Sequence, residues 1–145
     1  MIVLDANILI YAYIDELPQH ADAAAWLEGL LRKQTESVGL AWIVVNALLR
    51  LSTSRSVFKH PWKVTEATTR IDELLEHPMV QLVPPGENHW AIYSRLLREL
   101  KISGNVVMDA HLAAIAIHHD AAVASADKDF NRFSEYLKIL DPLKN

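Results

Sequence analysis

Apolar positions along this chain fall into two alternating rhythms. Short runs rich in β-branched residues or alanine occupy positions 2–4 (Ile-Val-Leu), 80–83 and 121–124, with a weaker one at 37–40 and a last short one at about 137–140. Each reads as a buried strand. Between them the apolar residues recur at helical spacing. Behind Pro18, the positions Ala21, Ala24, Ala25, Leu27, Leu30 and Leu31 mark a helix over 19 to about 33. Further helices are predicted over 42 to about 51, 64 to about 76, 88 to about 100 and 106 to about 118. A shorter one follows Asp5, with Asn7 as its candidate cap. Residues 52–62 (Ser-Thr-Ser-Arg-Ser-Val-Phe-Lys-His-Pro-Trp) read as an exposed loop, and Gly104-Asn105 as a turn. Strands alternating with helices imply βαβ units and a parallel sheet, whose ligands bind at the carboxyl ends of the strands.

Composition narrows the function classes. The chain has 145 residues, 51% hydrophobic, with four glycines and no repeat or linker, which predicts one domain over 1–145 and excludes a disordered chain. No apolar run approaches the roughly 18 residues that a membrane span requires, so no membrane association is expected. The first residues lack a basic stretch, and Asp5 and Asn7 break their apolar run, so no secretory leader is expected. Cysteine is absent, which removes disulfides and thiolate metal sites and fits a reducing cytoplasm. The net charge of −4 argues against a protein that grips nucleic acid by bulk attraction. Any contact with nucleic acid has to be local. A divalent cation held by carboxylates would provide one.

Three aspartates stand where such a site would form. Asp5 closes the first strand, Asp109 lies in the apolar segment Val106-Val107-Met108-Asp109-Ala110-His111-Leu112, and Asp127 and Asp129 follow the strand at 121–124. Each alone is as readily a cap or a turn acid. Together they fall at one end of a parallel sheet, where crowded carboxylates are costly unless a cation compensates them. Hard oxygen ligands without cysteine favour Mg²⁺ or Mn²⁺ over Zn²⁺. The seven histidines give a weaker signal: His118 and His119 end a helix, where cations complement its dipole. Among the tryptophans, Trp62 in the loop is the candidate for base stacking. Arg95, Arg98 and Lys101 read as a solvated helix face. Arg50 and Arg55 are the better phosphate ligands, since arginine binds phosphate bidentately.

The blocks Leu4-Asp5-Ala6-Asn7-Ile8-Leu9-Ile10-Tyr11-Ala12, Met108-Asp109-Ala110-His111-Leu112-Ala113-Ala114 and Ser125-Ala126-Asp127-Lys128-Asp129-Phe130, in that order, resemble the PIN domain and, within it, the VapC-type toxins of bacterial toxin–antitoxin pairs. Leu49-Arg50-Leu51-Ser52-Thr53, with Arg55 and Phe58, resembles one subgroup of these toxins. The resemblance spans essentially the whole chain. It implies a three-layer α/β fold with a central parallel sheet of four to five strands. It also implies a Mg²⁺- or Mn²⁺-dependent endoribonuclease, a homodimer and a cognate inhibitory antitoxin. Asp5, Asp109 and Asp127 match family acids, Asn7 and Ser125 match supporting polar positions, and Asp129 matches a less regular fifth position. There is one departure. The family places a glutamate on the helix that here begins at Trp42, whereas this chain has no acid between Glu36 and Glu66. Asn46 or Ala47 stands in its place, and Asn46 retains only the capacity to orient a water. Two other readings follow: a catalytically weakened PIN module that binds RNA or a protein partner, and an aspartyl-phosphate phosphatase with Asp5 as nucleophile, which would want an acid where Asn7 stands.

Overall fold

The computed structural model describes residues 1–144. Its elements run β1 (Ile2–Leu4), α1 (Ala6–Tyr13), α2 (His20–Lys33), β2 (Val38–Leu40), α3 (Trp42–Ser52), α4 (Val64–Glu76), β3 (Val80–Leu82), α5 (His89–Glu99), α6 (Val106–His118), β4 (Ala122–Ala124), a 3₁₀ turn (Lys128–Phe133) and β5 (Ile139–Leu140). The strands form one sheet in the order β3-β2-β1-β4-β5, with every pair parallel.

That order fixes where a site can lie. The chain moves outward from β1 to β2 and β3, then returns to place β4 on the other side of β1. Because parallel crossovers are right-handed, α1–α4 cover one face and α5 and α6 the other. The packing agrees: α1 meets α2 and α3, α3 meets α4, and α5 meets α6. The direction of winding reverses between β1 and β4, and a crevice opens there at the carboxyl ends of the strands. In register, Ile2, Val3 and Leu4 face Ala122, Val123 and Ala124. The next residues, Asp5 and Ser125, therefore leave the sheet side by side.

Sequence chemistry accounts for the layers. β1 and β2 are buried along their whole length, as strands covered on both faces must be. Gly39 in β2 sits in a tight place, since a Cβ would lie 3.1 Å from both Val3 and Val83. Helix α6 buries Ala110, Leu112, Ala113, Ala114, Ile115 and Ala116, and its alanines let the backbone approach the sheet. Phe130 and Phe133, both 0% exposed, anchor the 3₁₀ turn with their rings 5.1 Å apart. Gly104 takes φ +67 in the turn before α6, as the pair Gly104-Asn105 predicts.

Some boundaries differ from expectation. The cap of α1 is Asp5, whose side chain accepts from the Ala6 amide. Asn7 is the second helical residue, and its side chain is used elsewhere. Helix α2 begins at His20 rather than at 19, and Asp109 is the fourth residue of α6 rather than its cap. The 3₁₀ turn was not anticipated, and it delays β5 to Ile139. Its apolar pair, three residues apart, matches one turn of a 3₁₀ helix and is too short to register as a helical pattern.

Candidate active site

Asp5 sits at the end of β1 because the strand must stop where α1 begins. Its two oxygens are committed differently. Oδ1 accepts from the Ala6 amide at 2.7 Å, and Oδ2 accepts from the Ser125 hydroxyl at 2.8 Å and the Asn7 amide at 3.1 Å. Asn7 Nδ2 also lies 3.2 Å from Ser125 Oγ, and Asn7 Oδ1 accepts from the Ala126 amide at 3.1 Å. Ser125 Oγ in turn accepts from the Asp127 amide at 3.1 Å. Ser125 is 2% exposed. These bonds stitch the end of β1 to the end of β4 and fix the direction of the Asp5 carboxylate. Burial still raises the Asp5 pKa above the ordinary value, against the lowering by its hydrogen bonds, and Asp127 adds to the rise.

Asp109 reaches the same crevice from the first turn of α6. No protein hydrogen bond to its carboxylate is found among the described residues. Its pKa is raised from the ordinary 3.8 to about 6, chiefly by desolvation, then by the charges of Asp5, Asp127 and Asp129. Arg132 offsets this only in part. A carboxylate at a helix N-terminus is ordinarily stabilised, so the neighbouring acids and burial outweigh the dipole here. Asp127 Oδ1 accepts from the Asp129 amide at 2.9 Å and caps the 3₁₀ turn. Asp129 is exposed and lies 3.7 Å from Arg132.

The structure thus draws Asp5, Asp109, Asp127 and Asp129 into one electrostatic neighbourhood, with Asn7 and Ser125 bracing it. Among the described residues, no three carboxylate or imidazole groups already encircle an ion position. The donor set fits a hard divalent cation that keeps much of its water, since Mg²⁺ binds through one or two carboxylates and retains several waters. The unsatisfied Asp109 carboxylate and the mutual repulsion of the acids support that fit.

Asn46 is an exposed residue of α3, and Arg50 stands on the same helix. Arg55 lies beyond the end of α3, in a cleft shared with Lys59 and Lys63. The cation within reach of Asp109 is Arg132 instead, which the sequence reading missed. Its spacing of three from Asp129 was the available signal. A histidine pair was also missed: His89 Nε2 and His111 Nδ1 lie 2.8 Å apart, and burial lowers both pKa values.

The family model described as the PIN domain matches residues 2–136. This chain belongs to the PIN-domain family. Ribonuclease VapC43 of Mycobacterium tuberculosis is 38% identical over 133 residues, covering 92% of this PIN domain and 90% of the relative. Ribonuclease VapC33 of the same organism is 37% identical over 144 residues, covering 99% of both chains. Among solved structures, VapBC-1 from nontypeable Haemophilus influenzae superposes on the PIN domain with a TM-score of 0.70 at 23% identity, covering 99% of this chain and 100% of that one. VapBC2 from Rickettsia felis, bound to a DNA fragment from its promoter, gives 0.67 at 23% identity over 96% and 97%. Both structures share the three-layer fold with its parallel sheet.

Proposed function

We propose that this PIN domain is a Mg²⁺- or Mn²⁺-dependent endoribonuclease that acts as the toxin of a toxin–antitoxin pair. The observation that carries the reading is the convergence of Asp5, Asp109 and Asp127 at the β1/β4 crevice, with Asp109 pushed up to about 6 by burial and then by the neighbouring acids. The relatives named as ribonucleases support the reaction class. Asp5, Asp109 and Asp127 are the residues that would hold the cation, directly or through water. When bound, it supplies charge neutralisation, polarisation of a phosphoryl oxygen and activation of water. Ser125 and Asn7 hold Asp5 in one orientation, so it spends no motion on alignment. Asp109, whose carboxylate makes no hydrogen bond to the protein among the described residues, would be the acid left free to orient and accept a proton from the attacking water. Asp129 adds negative potential at the mouth of the site, and Asn46 on α3 orients water where the family's glutamate would stand.

An antitoxin partner and a homodimer are part of the proposal. The solved neighbours named VapBC support the first. Trp42 (56% exposed), Trp90 (66%) and Met108 (54%) provide apolar surface suited to protein partners.

The test is cleavage of a structured RNA with Mg²⁺ or Mn²⁺ present and then removed by chelation. Cleavage that needs the metal and collapses in Asp5→Asn and Asp109→Asn supports the proposal, whereas equal rates in wild type and both variants refute it. The second reading, a weakened module that binds without cleaving efficiently, is favoured by the missing acid on α3. A large gain of cleavage in Asn46→Glu or Ala47→Glu would support it. The phosphatase reading has no support: Asn7, where it would want an acid, spends its amide holding Asp5.

A further inference from the structure

We propose that Arg55, Lys59, His60 and Lys63 form a second, phosphate-binding cleft that anchors the RNA strand at a distance from the acids. This inference rests on the ribonuclease reading and names how that site holds a polyanion its own charge repels. The chain's charge is strongly divided. Residues 37–65 contain Arg50, Arg55, Lys59 and Lys63 and no carboxylate, so a segment of +4 sits in a chain of −4 and the remainder carries −8. Without metal, RNA approaching the aspartates would meet repulsion, and affinity in that state has to come from a cationic surface elsewhere.

The fold gathers these cations. Arg55, Lys59, His60 and Lys63 line a cleft of about 740 Å³ together with Thr53 and Trp62. All four are exposed. Among the described residues, none of Arg55, Lys59 and Lys63 is in a salt bridge, although four other bridges form. The first acid beyond the segment, Glu66, is turned to the Lys63 backbone amide at 3.4 Å.

The loop is also held in shape. Phe58 is 8% exposed and plugs it into the core, and the Trp62 amide donates to Ser52 O at 2.8 Å. The Trp62 ring packs 6.2 Å from Tyr13, with Arg70 6.0 Å over its face. Trp62 is therefore a wall of the cleft rather than a free stacking platform. Tyr13 is the last residue of α1, the helix that Asp5 caps. Eight residues at about 1.5 Å each set Tyr13 roughly 12 Å along α1 from Asp5, and the cleft lies beyond Tyr13 across its contact with Trp62. An extended strand of a few nucleotides bridges that distance.

The experiment is fluorescence anisotropy of a labelled single-stranded RNA in EDTA, titrated across NaCl. It compares the full chain with Arg55→Gln/Lys59→Gln/Lys63→Gln and with a charge-preserving Lys59→Arg/Lys63→Arg variant. Each lost phosphate contact on a single strand flattens the log–log salt slope by about 0.7, so the triple variant should lose about 2 and bind at least about tenfold more weakly at low salt. The charge-preserving variant should keep the wild-type slope, and single Lys59→Gln and Lys63→Gln variants should each lose about 0.7 if the triple variant does not fold. With metal restored, KM for a long RNA should rise while kcat holds, and an oligonucleotide too short to reach the cleft should be cut as before. A slope unchanged in the triple variant overturns the proposal. So does loss of poly-glutamate binding with RNA binding intact, which would assign the cleft to an acidic protein. Because binding is read without metal, a wild type that binds RNA through these cations but cuts nothing sinks the nuclease reading and leaves the cleft standing.

Discussion

Replacing Asp109 with asparagine should stabilise the metal-free protein while removing its activity. The carboxylate's pKa stands at about 6 against an ordinary 3.8, raised first by desolvation and then by Asp5, Asp127 and Asp129. At about 1.4 kcal/mol for each tenfold change in proton affinity, that difference corresponds to about 3 kcal/mol of penalty on the ionised form. The side chain is half-exposed, so solvent screening reduces the figure to about 1–1.5 kcal/mol. A folded-state pKa above the unfolded value means the native state binds the extra proton. Stability is then undiminished below about pH 4, falls as pH rises from about 4 to about 6, and carries the full penalty above that. Asp109→Asn, neutral and of the same shape, should remove that slope and raise Tm at pH 7.5 by about 2–5 °C. Adding Mg²⁺ should reverse the ranking. The cation stabilises wild type by mass action, by about 2.7 kcal/mol at a hundredfold excess over Kd, and the variant far less. Thermal melts by circular dichroism at pH 4, 6 and 7.5, with and without Mg²⁺, read both effects. A variant melting at or below wild type at pH 7.5 without metal, with an equal response to Mg²⁺, would refute the reasoning.

Three further outcomes follow from the same geometry. Ser125→Ala removes the 2.8 Å bond to Asp5 and the acceptor for the Asp127 amide at a nearly closed position. It should cost about 1–3 kcal/mol in urea denaturation and lower kcat by releasing Asp5 from its fixed direction. Phe130→Ala empties a fully buried site under the turn that Asp127 caps, so it should cost about 3–5 kcal/mol in the same assay and loosen the acid cluster. Asn46→Glu adds a carboxylate on α3 and should tighten Mn²⁺ binding by calorimetry without a large gain in cleavage. Unchanged Mn²⁺ affinity would remove α3 from the site.

Much of this arrangement was legible before any coordinates, because the signals were redundant. Ile2-Val3-Leu4 and Ala121–Ala124 are too short and too apolar for anything but buried strands, and the alternation with helices forces them parallel. Once they are parallel, Asp5 and Ser125 must emerge at one edge. The braces could not be read in the same way. Asn7 looks like a cap in isolation, and only the β1/β4 register shows that it faces Ser125 and Ala126 across 118 and 119 positions of chain. Arg132 was hidden for a similar reason. Its role depends on a 3₁₀ turn whose apolar signal is two phenylalanines three apart. The cleft around Lys59 and Lys63 depends on how the loop folds back under Phe58, which local pattern does not specify. The missing acid on α3 was visible at once, since an absence of carboxylates over residues 37–65 needs no folding to be seen.

A nuclease of this kind requires the β1/β4 crevice to capture a divalent cation. Anomalous diffraction from crystals soaked in Mn²⁺ tests this directly. A peak bounded by Asp5, Asp109 and Asp127, absent from Asp109→Asn crystals treated identically, is the expected result. Saturating Mn²⁺ that leaves the crevice without a peak, or that binds only at the His89–His111 pair, would contradict it.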